Sequence, residues 1–389
     1  MMNAPFPTGN ATAAQQKVIH AAQAVLGAKA VTTDAEDIAP WLTDWRGRFH
    51  GRTPAILSPD STAGVAHIMR LAAEYRVPLV PQGGNTSMVG GATPPSDGSA
   101  LILSLRRMNR IRSIDPAAGL AVVEAGVILA DLHAAAAAHG LRFPLTLGAR
   151  GSATIGGLAS TNAGGTQVLR FGTMRGLVAG VEAVLPDGQI LDGLAALKKD
   201  NRGYDLDHLL IGAEGTLGII TEVTLRLHPI PEQIMSAVCG FDSLQGAVDT
   251  VVQSIQLGVP LARVEILDDR QMAAVNRWSK LSYPEVTTLF FEFHGSPAGV
   301  AEQVETVAAL AGANGGGEFA WSNQPEQRNK LWKARHEAYY AAVGIRPGAV
   351  GWTTDVCVPI SRLPECILAT RADIDAGTVP AATLGHVGD

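Results

Sequence analysis

Residues 77–87 read VPLVPQGGNTS, an apolar strand that runs into Gly83 and Gly84 and then into Asn85, Thr86 and Ser87. Where a chain leaves a strand and turns tightly, successive backbone N–H groups become available to an anion. Glycine removes the Cβ that would hold such a ligand away. A plain tight turn explains an isolated Gly-Gly pair equally well. Here, however, three more stretches have the same character: GSATIGG at 151–157, STNAGG at 160–165 and GAEGTLG at 212–218. Several small-residue loops in one domain suit a long ligand that touches backbone at many points. None is a G-x-G-x-x-G at a strand-to-helix turn, and no G-K-[ST] occurs, so a nucleotide would be held by some other arrangement.

A second chemical stretch is RNKLWKARHEAYYAAVGIRPGAVGWTTDVCVPISRLPE, residues 328–365. Read as a helix, it sets Leu331, Arg335 and Tyr339 four apart, with Trp332 three before Arg335. A guanidinium beside an aromatic and a phenol suits two-pronged binding of a carboxylate. The competing reading is a surface helix with its arginine stem laid along apolar neighbours.

The elements that must carry these residues are legible from periodicity. QKVIHAAQAVLGAKA (16–30) has helical spacing, TPAILSP (53–59) is a short strand, and STAGVAHIMRLAAEYR (61–76) is a serine-capped helix. With VPLVPQ as the next strand, a strand–helix–strand unit ends at the glycine pair. ALILSLRRM and LAVVEAG are further strands; ILADLHAAAAAHG is a helix stopped by Gly140. LVAGVEAVLPDGQIL is a hairpin turning at Asp-Gly, and a long strand runs up to Pro229. After HPIPEQ the composition shifts. Two rounds of strand–helix–strand follow, a pattern that suits an antiparallel sheet with helices on one face. A helix over 324–343 and a strand near GWTTDVCVP complete the reading. It divides the chain into an N-terminal helical segment (1–50), a loop-rich domain (51–230) and a second domain (231–389).

Composition bounds the function. The 389 residues are 47% hydrophobic and 17% charged, with 43 glycines, which is a globular balance rather than a disordered one. A net charge of −6 argues against a nucleic-acid surface. Three cysteines without C-x-x-C spacing fit a reducing compartment. The N-terminus lacks a basic segment followed by an apolar run, and no apolar stretch approaches the ~18 residues of a membrane span. A cytoplasmic protein, possibly peripheral at the inner membrane, is expected.

In this order and at these distances, PQGGNTS, GSATIGGLASTNAGG and IGAEGTLGIIT resemble the FAD-binding domain of the vanillyl-alcohol oxidase superfamily, over roughly residues 50–230. The resemblance implies an α+β fold, a two-subdomain FAD-binding domain followed by an antiparallel-sheet α+β cap domain. By motif it implies FAD contacts at Pro81, Gly83, Gly84, Asn85, Thr86, Ser87, Pro144, Gly151, Ser152, Thr154, Ile155, Gly157, Asn162, Gly164, Glu214, Gly218 and Ile219. No His or Cys lies in the loops, so the FAD is expected to be non-covalent.

LWKARHEAYYAA, TTDVCVPISRLPE and the final LGHVGD are similar to the FAD-linked D-2-hydroxyacid dehydrogenases, most of all the cytochrome-type D-lactate branch. This implies oxidation of a D-2-hydroxy acid, D-lactate first, to the 2-oxo acid. D-2-hydroxyglutarate dehydrogenase, a glycolate oxidase FAD subunit and an inert FAD-binding fragment are the alternatives. Arg335, with Trp332 and Tyr339, would bind the substrate. His386 matches the first histidine of H-V-G-D-G-N-x-H, whose histidines bind a divalent metal (Zn or Mn) in that family. The chain stops before the second histidine and before the family's later Glu-His pair, whose histidine serves as base. It is therefore expected to be truncated at its C-terminus, with no catalytic residue within it. The electron acceptor would be a cytochrome c, a quinone or an electron-transfer flavoprotein, and a homodimer is possible.

Overall fold

In the computed structural model the described residues are all but 1–10, 198 and 389. They form two units. The first runs to Gly165 and resumes over Gly172–Ile230; the second takes Thr166–Phe171 and continues from Pro231.

The first unit begins with α1 (Ala13–Leu26). Thr12 and Gln15 close a reciprocal capping box at its start, and Gly27, at φ +83°, ends it. Val18, Ile19 and Ala22 carry its buried face into a shared core with α2 (Thr62–Tyr75), whose Val65, Ile68 and Leu71 recur at helical spacing. Residues 11–50, expected as a separate segment, thus pack within the first unit, and 1–10 lie outside the described residues. The core of this layer is a sheet of β1 (Val31–Thr32), β2 (Ile56–Leu57), β3 (Leu79–Gln82) and β4 (Leu101–Ser104), in the order β1-β2-β4-β3. Strands β2, β4 and β3 are parallel, so their carboxyl ends share one edge. Residues 83–87 leave from that edge, where parallel sheets place ligand-binding loops.

A second, antiparallel sheet is built from β5 (Ile111–Asp115), β6 (Leu120–Glu124), β7 (Val178–Val184), β8 (Ile190–Asp192) and β9 (Ile219–Arg226), in the order β5-β6-β9-β7-β8. The β7–β8 hairpin turns through Gly188 at φ +81°. Helices α3 (Leu129–Ala137) and α4 (Ile155–Ser160) belong to the same unit. Helix α4 can approach the end of β6 because Gly156 has no side chain. A Cβ there would lie 2.5 Å from that of Ala125, whose carbonyl accepts from the Gly156 amide.

The second unit is an antiparallel sheet of β10 (Gln233–Phe241), β11 (Leu261–Leu267), β12 (Thr287–Gly295), β13 (Gly316–Ser322) and β14 (Leu384–His386), in the order β13-β10-β12-β11-β14. Helices α5 (Leu244–Gln256) and α7 (Pro297–Ala313) cover one face over Ala237, Cys239, Val264, Ile266, Phe291 and Phe293. Truncating either buried phenylalanine to alanine would remove about 3–5 kcal/mol. Contrary to the one-sided expectation, the other face is covered too. Helices α6 (Asp269–Ser279), α8 (Pro325–His336) and α9 (Ala338–Val343) pack there against Val238, Leu267 and Phe290.

Two local expectations change. The single helix over 324–343 is divided at Glu337 into α8 and α9. No strand forms at GWTTDVCVP; Val350, Trp352 and Val356 are exposed there, and the chain next becomes regular in a short turn and α10 (Leu363–Ala376).

Candidate functional site

In the first unit the separate glycine stretches converge. A Cβ at Gly84 would lie 2.8 Å from the carbonyl carbon of Ser152 and nearer still to its oxygen, and one at Gly83 would strike Oγ1 of Thr154. What presses on the glycine pair is therefore the next loop, and the close approach required there is of chain to chain. The first and third loops meet where a Cβ at Gly215 would run into the ring of Pro81. The second and third are joined by the amides of Gly212 and Glu214, which donate to the carbonyls of Ala159 (3.1 Å) and Ser160 (2.8 Å).

The backbone at this junction is unusual. Five described non-glycine residues have positive φ: Arg76, Asn85, Asn162, Glu214 and Lys280. Arg76 and Lys280 are left-handed helix caps, and Asn162 closes α4 in the same way, its amide and that of Ala163 donating back to the carbonyls of Ala159 and Leu158; these are routine places for that conformation. Asn85, Asn162 and Glu214 fall one in each loop, at φ +52°, +47° and +52°, and of these Asn85 and Glu214 lie outside any helix end. Left-handed backbone outside caps is uphill for residues with a Cβ and concentrates where a ligand must be met. Among the described residues, the amides of Gly83, Gly84, Asn85 and Thr86 also donate to no protein acceptor. A run of unpaired N–H groups on an uncharged loop is suited to a phosphate.

Two side chains that sequence reasoning passed over hold this arrangement. Gln82 is 3% exposed, and its Nε2 donates to the carbonyls of Trp41 (3.0 Å) and Ala92 (2.9 Å), clamping segments on either side of the first loop. Asn85 Nδ2 adds a bond to the Thr43 carbonyl, 2.9 Å away. Arg175 bridges the other two loops, its amide donating to Asn162 Oδ1 (2.9 Å) and its Nη2 to the Ile211 carbonyl (2.6 Å). Of the remaining expected contacts, Gly151, Ser152 and Glu214 are exposed, Gly157 and Gly164 half-buried, and Pro144, Thr154 and Ile155 buried. Gly218 precedes β9 and Ile219 opens it with its side chain in the core, so only their backbone is available.

The second unit buries a band of charge on the sheet face that carries α8. Arg263 and Glu265 alternate with Val264 and Ile266 along β11, and Glu292 and His294 alternate with Phe291 and Phe293 along β12. Register sets Arg263 opposite Glu292, and their side chains meet at 2.6 Å. His294 Nε2 and Gln167 Nε2 also reach Glu292 Oε1, at 2.7 and 3.1 Å. Burial by itself would raise the Glu292 carboxyl, but Arg263 and His294 outweigh it and hold it at about 2. Arg263 lies 3.3 Å over the ring of Trp332, which is 5% exposed and donates from Nε1 to Ser236 Oγ.

Arg335 is not laid along the surface. Its side chain is 13% exposed, and its Nε donates at 2.9 Å to Oε2 of Glu265, which is wholly buried. Register places His386 of β14 directly opposite Glu265, and its Nδ1 lies 2.6 Å from Oε1. Arg335, Trp332 and His386 thus come together around Arg263 and Glu265. Tyr339 falls beyond the helix break, edge-on to Tyr340. One histidine does not make a metal centre, which needs three or four protein ligands. Among the described residues no group of three His, Cys, Asp or Glu is placed to hold an ion.

Residues 53–193 match the FAD binding domain family, and 230–389 match the C-terminal domain of FAD linked oxidases. A probable mitochondrial D-lactate dehydrogenase of Danio rerio is 41% identical over 97% of the chain and 76% of its own length. The mitochondrial D-lactate dehydrogenase [cytochrome] of Arabidopsis thaliana is 37% identical over 89% of the chain, and the chain spans 63% of it. The mitochondrial D-2-hydroxyglutarate dehydrogenase of Bos taurus is 37% identical over 92%, with 66% of its length spanned. Among solved structures, an alkyldihydroxyacetonephosphate synthase superposes with a TM-score of 0.78 at 19% identity, covering 97% of the chain and 78% of its own. The 4-ethylphenol oxidase of Gulosibacter chungangensis does so at 0.75 and 20%, covering 97% and 82%. These two bear out the expected fold, that of the vanillyl-alcohol oxidase family.

One expectation is corrected. The three enzymes similar in sequence are named as mitochondrial, which overturns the cytoplasmic location. Sparse thiols and an acidic composition read alike in any reducing compartment, so they could not have discriminated. Among the described residues no helix is long and apolar enough to cross a membrane. With both of its halves matched and a relative 41% identical along nearly all of it, the chain belongs to the family of FAD-linked D-lactate and D-2-hydroxyglutarate dehydrogenases.

Proposed function

We propose that the protein oxidises a D-2-hydroxy acid, D-lactate in the first instance, to the 2-oxo acid with non-covalently bound FAD, and does so in the mitochondrion. The observation that carries this is the junction of three glycine loops with a left-handed residue in each, in a chain 41% identical to a D-lactate dehydrogenase. Residues 83–87 would take the pyrophosphate on their amides. Ser152, Thr154, Ile155, Gly157, Asn162 and Gly164 would follow the ribityl chain and flavin, and Glu214, Gly218 and Ile219 the adenine end and flavin. FAD, when bound, supplies the acceptor for the hydride removed from the α-carbon.

Arg335 would bind the substrate carboxylate through its terminal nitrogens, since its Nε is already committed to Glu265. Holding that carboxylate fixes where the α-carbon and its hydroxyl stand. The divalent metal expected through His386 finds no complete ligand set among the described residues, and no step here passes through one. Electrons would leave to a cytochrome c, a quinone or a flavoprotein.

D-2-hydroxyglutarate is the second reading, favoured by the bovine relative. Against it, the second cation near Arg335 is Arg263, and its charge is already matched by buried Glu292. The protein expressed from its complete open reading frame is mixed anaerobically with D-lactate, L-lactate and D-2-hydroxyglutarate, and flavin absorbance is followed. Rapid bleaching by D-lactate alone is expected. Bleaching only by D-2-hydroxyglutarate moves the assignment to the dicarboxylate, and none with any D-2-hydroxy acid refutes it.

A further inference from the structure

Glu265 touches both Arg335 and His386. Its carboxylate is wholly buried, and each oxygen is used: Oε2 accepts from Arg335 Nε at 2.9 Å, and Oε1 lies 2.6 Å from His386 Nδ1. The two partners arrive on different elements, Arg335 on α8 and His386 on β14, where strand pairing puts it opposite Glu265. Arginine offers a planar fork whose direction is fixed once one N–H is anchored. An imidazole that donates from Nδ1 to a carboxylate carries its lone pair on Nε2, the form needed to bind a metal ion or to accept a proton.

We propose that Glu265 is a positioning residue, whose two oxygens set the direction of the Arg335 guanidinium and the tautomer of His386 together. The proposal rests on the reading of Arg335 as the carboxylate anchor. The competing explanation is a salt bridge that only holds α8 to the sheet. That alternative would change stability and leave the substrate's KM alone.

The test uses FAD-loaded protein from the complete open reading frame, labelled with nitrogen-15 at histidine. Proton–nitrogen correlation, with His386 assigned by loss of its signals in His386→Gln, reads the tautomer in the unaltered protein and needs no variant at position 265. Protonation at Nδ1 is expected; protonation at Nε2 alone overturns the proposal. Kinetically, Glu265→Gln should raise KM for the D-2-hydroxy acid by about tenfold or more, the size usual for loss of an orienting partner. FAD content should stay at the parent value. Arg335→Lys should add little in that background, because both changes act through one guanidinium. A lowered melting temperature with unchanged KM makes Glu265 merely structural and also overturns the proposal. If no D-2-hydroxy acid reduces the flavin, the functional reading fails, and the tautomer measurement still decides the role of Glu265.

Discussion

Gly84→Ala tests whether the first two loops must touch for FAD to be held. The added Cβ would lie 2.8 Å from the Ser152 carbonyl carbon and 3.3 Å from the Ala153 Cα, where ordinary contact begins at 3.4 Å. The main chain at 152–153 must therefore retreat by at least 0.6 Å, and further to clear the carbonyl oxygen. Backbone cannot rotate aside as a side-chain tip can. Gly84 is not left-handed, so the penalty is purely steric. Overpacking of this kind costs about 1–3 kcal/mol. Falling on the arrangement that holds the cofactor, it weakens FAD by roughly 5- to 150-fold. Gly148→Ala is the control, since nothing lies within 4 Å of a Cβ there and its backbone is unstrained. FAD titration into apoprotein, read by quenching of flavin fluorescence, gives the affinities. Should Gly84→Ala bind FAD as tightly as Gly148→Ala, the loop contact is not what shapes the site.

Arg335→Lys keeps a charge but loses the anchored fork; it should raise KM by about thirtyfold or more, the lower end of the ~2–5 kcal/mol of a buried charge-pair contact, while FAD content is unchanged. Equal Michaelis constants would remove Arg335 from the substrate site. Glu292 is held at about 2, below its ordinary 4.5, so its contribution is fully present above about pH 4.5 and lost as pH falls through about 2. Glu292→Gln should lower stability by about 3–5 kcal/mol near neutrality, because buried Arg263 is left unmatched, and should flatten the acid limb of a denaturation profile. An acid limb as steep as the parent's would contradict this. Burial pushes the Cys239 thiol up to about 11, so alkylation of the native protein at pH 8 should label exposed Cys357 and spare Cys239 until unfolding. Mass spectrometry of the labelled peptides checks it.

Much of this was legible in the sequence because local signals and the fold agree. Ser61 before an amphipathic run, Asp-Gly in a hairpin, and glycines after strands each mark a boundary that depends on nearby residues alone. The glycine loops announced a backbone-lined site, but their contact partners are residues some seventy and one hundred and thirty positions away, as Gly84 against Ser152 and Pro81 against Gly215 show. No local pattern gives such pairings. The buried ion band was harder still. Arg263, Glu265, Glu292 and His294 alternate with apolar neighbours as solvent-facing residues of a half-covered sheet would, while the one-sided reading itself came from the two rounds of strand–helix–strand. The covering helices α8 and α9, lying well beyond the strands in sequence, turn the same alternation into paired buried charge. The signal available was chemical: opposite charges spaced by two on both strands can neutralise each other across the sheet.

The central claim is that bare main chain from three loops holds one FAD without a covalent bond. Protein expressed from the complete open reading frame is saturated with FAD, freed of excess, denatured in acid and centrifuged, and the flavin in the supernatant is identified and quantified. One FAD per chain, all of it released, is the predicted result. A chain that takes up no flavin, or one whose flavin stays with the pellet, contradicts the account.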